Sequence, residues 1–299
     1  MSNRKTFPNK FKKSFCLAAV FGVMFSTHAQ PLYVSSYDFN LLGRDVTAIT
    51  KIAEDGTVNI FAAGLRRPTG LAFDSSKNLY VANNVTDPNG SNDGPISKIS
   101  PASAVTTFAT GFYGPSGLAF DGYGNLYVAN QSLHTISKIS PAGVATTFAV
   151  GIEPTGLAFD SSGNLYAGNF DDFTITKITP EGVTSVFAGG LNHPVGLAFD
   201  VSGNLFVSSI AQNTISKITP DGTVSVFVST GLTNPVGLAF DLAGDLYVAN
   251  QGSGTISKIT SSGGISTFAI GLDAPGYLAF EPVPEPSAAL LIAPALLGL

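Results

Sequence analysis

The sequence predicts an all-β protein: a six-bladed β-propeller of four-stranded antiparallel blades, closed by the C-terminal strand. The main observation is a phrase, Pro-x-Gly-Leu-Ala-Phe-Asp, which recurs at Pro68–Asp74, Pro115–Asp121, Pro154–Asp160, Pro194–Asp200 and Pro235–Asp241, with a degenerate copy at Pro275–Glu281. The copies follow one another roughly every forty residues, a period typical of stacked repeats that cannot bury their apolar faces alone. Three further markers, an aromatic residue, a lysine and a second phenylalanine, each recur six times along the chain.

The unit that begins at Pro115 shows how about forty residues make four strands. Ser116–Asp121 is a short strand in which large and small residues alternate, which suits the narrow centre of a ring. Asp121–Asn125 predicts a tight turn, because Asp accepts backbone N–H groups and Gly124 tolerates a positive φ. The second, third and fourth strands are then expected at Leu126–Asn130, Thr135–Ser140 and Val144–Val150.

The two ends of the repeat array predict how the ring closes. The first repeat-like segment, Leu32–Ser36, matches a second strand, whereas the last, Tyr277–Glu281, matches a first strand. A first strand supplied by the C-terminus would complete the N-terminal blade and leave no open edge. The propeller is therefore expected to span residues 30–282 as one domain.

The repeat carries an acidic residue and a lysine at fixed positions, and we expect both to have structural roles. The series Asp74, Asp121, Asp160, Asp200, Asp241 and Glu281 lies where first and second strands join, so we expect these residues to cap turns rather than to ring a ligand. The repeated lysines are expected on the outer part of each blade, with packed stems and solvated ammonium groups. One turn carries Lys77 in place of Gly, and we expect Asn78 to take the strained position there or the turn to be of another type.

Residues 1–29 are expected to be a secretory signal peptide. Five basic residues lie in the first thirteen positions, an apolar run Phe15–Phe25 follows, and the small residues Thr27 and Ala29 fit cleavage after Ala29. The only cysteine, Cys16, would leave with this segment. We therefore expect an exported protein without disulfides.

Charge excludes one class of partner. Without the basic leader, ten basic residues face twenty acidic ones. A nucleic-acid partner is not expected, because phosphate binding needs clustered Lys and Arg. The sequence also contains no nucleophile elbow, P-loop or dinucleotide fingerprint.

The segment 283–299 contains Pro284-Glu285-Pro286 and ends in a mostly apolar stretch, Ala288–Leu299. As a helix this stretch would span roughly 18 Å, short of the ~30 Å hydrocarbon core, so it is a poor permanent anchor. The segment resembles the PEP-CTERM sorting signal of Gram-negative bacteria, although it lacks the basic terminus of that signal. The resemblance implies an exosortase-type processing enzyme, only transient contact with the membrane, and a secreted or cell-surface destination in the extracellular matrix.

The full repeat, Pro-x-Gly-Leu-Ala-Phe-Asp-x-x-Gly-Asn-Leu-Tyr-Val-Ala-Asn, resembles the NHL repeat over residues 32–281. It is also similar to the six-bladed gluconolactonase-like and virginiamycin-B-lyase-like propellers. The resemblance implies a six-bladed propeller. It does not select a function, because this fold hosts binders, lyases and lactonases alike.

The repeats differ most in the loops that enter the first strands and in the loops between second and third strands. These loops should open on one face, around one mouth of the central channel. Variation on a copied scaffold is what a grafted site produces, and relaxed surface loops produce it equally. The candidate ligand-binding residues are Arg67, Asn130, Asn169, Phe170, Asp172, Asn234 and Asn250.

The family resemblance also implies a metal-dependent alternative. Lactonases of the gluconolactonase family hold a central cation with carboxylate and amide oxygens, a ligand set that suits calcium. In this sequence the candidate metal ligands are Glu153, Asn130, Asn169 and Asn250, and the candidate catalytic residues are Glu153 and His193, with His193 as the base of a lyase. Glu153 directly precedes Pro154, unlike the Glu-Gly-Pro order of that family.

Two functions therefore stay open. The first is a secreted or cell-surface binding module, expected to be a monomer without a firm cofactor, which binds a protein or an extracellular polysaccharide through its loop-bearing face. The lack of a complete catalytic set in the sequence favours this function. The alternative is a cation-dependent lactonase or lyase with its site at the channel mouth.

Overall fold

The computed structural model of this protein describes residues 30–36, 47–85 and 93–283. Its strands form six four-stranded antiparallel sheets, each running from an innermost first strand to an outermost fourth strand. These sheets are the six expected blades, so the predicted fold class is confirmed. The expected signal peptide and the tail beyond Val283 lie outside the described residues.

Blade 1 contains β1 Leu32–Ser36, β2 Ala48–Ile52, β3 Val58–Ala63 and, as its innermost strand, β24 Pro275–Phe280. Blade 2 contains β4 Pro68–Phe73, β5 Leu79–Asn83, β6 Asp93–Ile99 and β7 Val105–Tyr113. Blade 3 contains β8 Pro115–Phe120, β9 Leu126–Asn130, β10 Thr135–Ile139 and β11 Ala145–Val150. Blade 4 contains β12 Pro154–Phe159, β13 Leu165–Asn169, β14 Thr174–Ile178 and β15 Thr184–Ala188. Blade 5 contains β16 Pro194–Phe199, β17 Leu205–Ser209, β18 Thr214–Ile218 and β19 Val224–Val228. Blade 6 contains β20 Pro235–Phe240, β21 Leu246–Asn250, β22 Thr255–Ile259 and β23 Ile265–Ala269.

The one helical element in the described part of the chain is a short 3-10 turn at Gln131–Leu133, between β9 and β10. No helix among the described residues is long and apolar enough to cross a membrane.

The ring closes by pairing the two ends of the chain. β24 lies antiparallel to β1, with Leu32 opposite Phe280 and Tyr33 opposite Ala279. The Glu281 N–H extends this ladder by donating to the Pro31 carbonyl at 3.1 Å. The expected closure by the C-terminal strand is therefore what the structure shows.

The hydrophobic core lies between neighbouring blades, and one aromatic trio repeats in it. Tyr127 of β9 packs edge-on against Phe148 of its own blade, with ring centroids 4.9 Å apart, and against Phe159 of the next blade at 5.0 Å. Lys138 Nζ lies 5.3 Å from the centroid of the Tyr127 ring. Each blade has a counterpart of this trio, so successive sheets are joined by the same contact around the ring.

The turns between first and second strands follow the expected capping pattern. Asp121 Oδ1 accepts from the backbone N–H groups of Tyr123 and Asn125, at 2.9 and 2.8 Å. Asp121 Oδ2 accepts from the side chains of Asn125 and Tyr127, at 2.8 and 3.3 Å. The repeated carboxylate therefore holds its turn and anchors the adjacent tyrosine.

The turn of blade 2 differs from the expectation for it. Lys77 itself takes the left-handed conformation, with φ 64°, and Asn78 does not. The Lys77 ammonium lies 2.8 Å from Glu281 Oε1 at the closure of the ring. An ion pair that the linear pattern does not reveal accompanies the strained backbone at this position.

Glu281 provides a pH-dependent test of the closure. Burial raises the pKa of its carboxyl, but hydrogen bonds from Lys77 and Tyr33 and the charges of Lys77 and Lys51 outweigh burial and lower the pKa below its ordinary 4.5. Since the native pKa is the lower one, this stabilisation is complete above pH 4.5 and is lost as the pH falls through the native value. At pH 7 we expect Glu281→Gln to lower the free energy of unfolding by about 2 kcal/mol.

Denaturant unfolding at several pH values measures this effect, with the exposed Glu54→Gln as the control. The difference between wild type and Glu281→Gln should vanish in acid, where the wild-type carboxyl is itself protonated. A difference that is the same at every pH would contradict a role for the charge of Glu281.

Candidate functional site

A pocket of about 190 Å³ lies at the mouth of the central channel, on the face where the variable loops open. Its inner wall is formed by the second residue of each first strand, namely Thr69, Ser116, Thr155, Val195, Val236 and Gly276. Its rim is formed by the residue that follows a second strand, namely Asn84, Gln131, Phe170, Ile210 and Gln251, and Tyr277 adds its side chain to the wall. Among the described residues, the lining contains no Asp, Glu, Lys, Arg or His side chain.

The threonine hydroxyls of the pocket wall form hydrogen bonds between neighbouring blades. Thr155 Oγ1 donates to the carbonyl of Pro194 in the next blade at 2.8 Å and contacts its own second strand at Gly168 O, 3.0 Å away. Thr69 makes the same bond to Pro115 O at 2.9 Å. Because these hydroxyls already have acceptors, the groups that a ligand can use lie at the rim.

Tyr277 is a site residue that sequence reasoning missed. It stands where the other five copies of the phrase have glycine, and it contacts Ser116 on a blade two positions away. Burial raises the pKa of the Tyr277 hydroxyl, against a hydrogen bond with Ser116 that lowers it. The hydroxyl therefore stays protonated at neutral pH and can donate inside the pocket. In the sequence, the replacement of the repeated glycine by tyrosine was the one feature that could have identified this residue.

The residues before the repeated proline form a ring of strained backbone. Arg67, His193 and Asn234 have φ values of 48°, 49° and 49°, in the left-handed region, whereas Glu153 has no positive φ. Each backbone carbonyl accepts from the residue that follows a second strand, as Asn84 N to Arg67 O does at 3.0 Å. This ring therefore holds the two families of variable loops together.

His193 lies in an aromatic cluster beside the pocket. Its ring centroid is 4.5 Å from that of Phe170, a rim residue, and 4.9 Å from that of Phe173. Its Nδ1 lies 2.6 Å from Asn192 Oδ1. The structure thus brings two predicted site residues, His193 and Phe170, into contact. Asp172, in the same loop as Phe170, is exposed.

Glu153 lies beside the other described histidine. His134 Nδ1 is 3.3 Å from Glu153 Oε1, and the Glu153 side chain is 28% exposed. Glu153 Oε2 is buried and has no hydrogen-bond partner in the described part of the chain. The Glu153 backbone carbonyl also accepts from Phe170 N at 3.3 Å, which places the Glu153 backbone next to the rim.

The predicted ligands Asn130, Asn169 and Asn250 do not project into solvent. All three are buried, and each donates through Nδ2 to two hydroxyls of its own third strand. In blade 4, for example, Asn169 Nδ2 lies 2.9 and 2.7 Å from the hydroxyls of Thr174 and Thr176. Each amide thus joins the second and third strands of its own blade at the loop-bearing end.

The predicted cation ligands meet the requirements of a cation site only in part. Asn130 Oδ1, Asn169 Oδ1 and Glu153 Oε2 are buried acceptors without a donor among the described residues, which is what a cation ligand needs. Asn250 Oδ1 instead accepts from Thr233 N at 3.3 Å. No group of three or more His, Cys, Asp or Glu side chains in the described ranges is placed to hold a metal ion.

Comparison with known proteins gives a family and a fold. The model of the virginiamycin B lyase family matches residues 68–276, whereas no curated protein matches the chain. Virginiamycin B lyase from Staphylococcus aureus is 18% identical, with a TM-score of 0.58 over 78% of this chain and 85% of that one. Its catalytically inactive histidine-to-alanine variant with quinupristin is 17% identical, with a TM-score of 0.59 over 86% and 94% of the two chains. A chain of a nidogen–laminin complex is 18% identical, with a TM-score of 0.71 over 86% and 100%.

Proposed function

We propose that this chain, which belongs to the virginiamycin B lyase family, is a binding propeller that takes an uncharged segment of a polysaccharide or a protein at its loop-bearing face. The observation that supports this function is the lining of the channel mouth. In the part of the chain that the structure describes, the pocket there combines amide and apolar side chains and has no charged side chain in its lining.

The rim chemistry favours a neutral polysaccharide over an acidic one. The amides of Asn84, Gln131 and Gln251 can both donate and accept, as sugar hydroxyls do, and Phe170 offers an apolar ring face. The excess of acidic residues over basic ones outside the leader disfavours a polyanion. One structural neighbour belongs to a nidogen–laminin complex, so a similar fold occurs in a protein–protein complex as well.

Affinity electrophoresis in gels that contain a neutral glucan or alginate, an acidic polymer, tests this function. We expect retardation in the neutral gel and about thirtyfold weaker binding when Gln131 and Gln251 are both changed to Ala, since each loses hydrogen bonds of about 1 kcal/mol. Ser162→Ala, in an exposed turn on the opposite face, is the control and should bind as wild type does. Retardation only by alginate, or equal binding by the double variant, would contradict the proposal.

A second candidate is a cation-dependent lactonase or lyase, which the buried acceptors without donors, Glu153 Oε2, Asn130 Oδ1 and Asn169 Oδ1, favour. A bound divalent cation would polarise an oxygen of the substrate, with Glu153 and the oxygens of Asn130 and Asn169 as its ligands. His193, held by Asn192 beside Phe170, would then be the candidate base. The inactive histidine-to-alanine variant of the S. aureus lyase shows that a histidine matters in that enzyme.

Metal analysis of the purified protein, with and without Glu153→Gln, separates the two functions. Under the binding proposal we expect less than one tightly held divalent cation per chain in both proteins. An equimolar cation that is present in wild type and lost in Glu153→Gln would favour the enzyme instead. Glu181→Gln, an exposed change in the turn between β14 and β15, controls for loss of surface charge alone.

A further inference from the structure

A second pocket lies on the opposite face of the ring, between blades 5 and 6. It has a volume of about 300 Å³, and the turns after β16 and β20 contribute Asp200 and Asp241 to its walls. Lys217 also lines the pocket, together with four aromatic side chains, namely Phe199, Phe206, Phe227 and Phe240. The proposed polysaccharide site is at the other end of the channel, so this pocket belongs to a different surface.

The pocket occurs where one tyrosine of the repeat is replaced. Phe206 occupies the position of Tyr33, Tyr80, Tyr127, Tyr166 and Tyr247 in the other blades. Its ring packs as theirs do, with centroids 5.0 Å from Phe227 and 5.1 Å from Phe240. In blades 2, 3 and 4 the tyrosine hydroxyl donates to the carboxylate of its own turn, at 3.4, 3.3 and 3.2 Å. Blade 5 has the same scaffold without that hydroxyl.

The polar groups that would meet this hydroxyl are still in place. Asp200 Oδ2 accepts from Asn204 Nδ2 at 2.7 Å, its one donor among the described residues. Lys217 Nζ lies 5.6 Å from the centroid of the Phe206 ring. The described part of the chain gives Lys217 no carboxylate within 4.0 Å, as it gives none to Lys177 of blade 4, whereas Lys98 and Lys138 each lie 3.7 Å from their aspartates. An acceptor and a cation thus flank the position of a missing hydroxyl.

The rim of the pocket is mixed: Val201, which is 102% exposed and directly follows Asp200, lies among the polar residues Ser202, Thr260 and Ser261. The residues that correspond to Val201 in blades 2 and 4 are Ser75 and Ser161. An apolar cavity of about 150 Å³ can hold a benzene ring, so the volume here is sufficient for one aromatic ring. A ligand that enters would cover Val201 and bury its ring against phenylalanine edges.

We propose that this pocket binds a phenolic ring. The phenol hydroxyl lies next to the position of the tyrosine hydroxyl that blade 5 lacks, in van der Waals contact with the Phe206 ring edge, and there it donates to Asp200 Oδ2 and accepts from Lys217 Nζ. The ring packs against the phenylalanines, beside Val201. The same chemistry is found in a free phenol and in a tyrosine side chain of a partner peptide.

Titration with p-cresol and with toluene, followed by amide NMR, tests this site. We expect p-cresol to shift the amides of residues 200–204 and 241–245 and to bind at least tenfold more tightly than toluene, because a hydrogen bond to charged groups is gained. Phe206→Tyr should abolish p-cresol binding, since the new hydroxyl fills the site itself. This variant should fold well, because it restores the residue present in the other five blades.

Tyr123→Phe, an exposed exchange of the same kind in the turn of blade 3, is the matched control and should bind p-cresol normally. A comparison with N-acetyltyrosinamide separates the sources: tighter binding than p-cresol indicates a tyrosine of a peptide, and weaker binding a free phenol. Equal binding by wild type and Phe206→Tyr, equal affinity for toluene and p-cresol, or no shifts up to about 10 mM p-cresol would each overturn the proposal.

Discussion

A chain that ends at Ala274 should not fold, whereas a chain that ends at Val283 should unfold at the same temperature as the full-length protein. The shorter chain loses β24, which pairs with β1 and lines the centre of the ring between blades 6 and 2. It also loses Leu278, Phe280 and the Glu281 carboxylate that Tyr33 and Lys77 bind. The loss should exceed the whole stability of a typical domain, about 5–15 kcal/mol.

Circular dichroism and calorimetry measure this outcome, and the chain that ends at Val283 is the control for truncation itself. A synthetic peptide of residues 275–283, added to the shorter chain, should restore a cooperative transition, because the missing strand can then pair with β1 from outside. A cooperative transition in the shorter chain alone, near the full-length temperature, would show that the ring does not depend on β24.

Gly156→Ala should destabilise the protein by about 3 kcal/mol or more, because the inner strands of adjacent blades touch at this residue. A Cβ at position 156 would lie 2.0 Å from the Val195 carbonyl oxygen, a backbone atom that cannot rotate away. The glycines of the same phrase in blades 2, 3, 5 and 6 approach the next blade in the same way. For a domain of this size the cost corresponds to a fall in melting temperature of roughly 6–12 °C.

Gly122→Ala is the matched control for Gly156→Ala. No atom lies within 4 Å of a Cβ built at position 122, and its φ is not positive. Its effect should stay within about 0.5 kcal/mol, as for most surface changes. If Gly156→Ala were as mild as Gly122→Ala, the inner strands would have to move apart at little cost, and the close approach would not define the ring.

The candidate site was less predictable than the fold. Asn130, Asn169 and Asn250 end their strands beside loops, so the sequence alone suggests exposed ligands. The structure turns these side chains inward, toward hydroxyls two residues apart on the third strand, as Asn130 does to Thr135 and Ser137. The direction of a side chain at a strand end depends on the register with the neighbouring strand, which a linear pattern does not specify.

The two pockets also depend on departures from the repeat. Tyr277 and Phe206 each replace the residue that other blades use, and both replacements are visible in the sequence. Their consequences are not visible there. Tyr277 reaches Ser116 across the channel, and Phe206 leaves Asp200 and Lys217 without a hydroxyl between them.

The number of blades, the order of the strands and the closure at the termini could all be predicted from the repeats, because each follows from local periodicity and from the need to pair every inner edge. The tertiary structure alone decided which side chains face the channel, which face a neighbouring blade, and where Lys77 meets Glu281. Those arrangements arise between segments that are distant along the chain and adjacent only once the ring has formed, so no local pattern contains them.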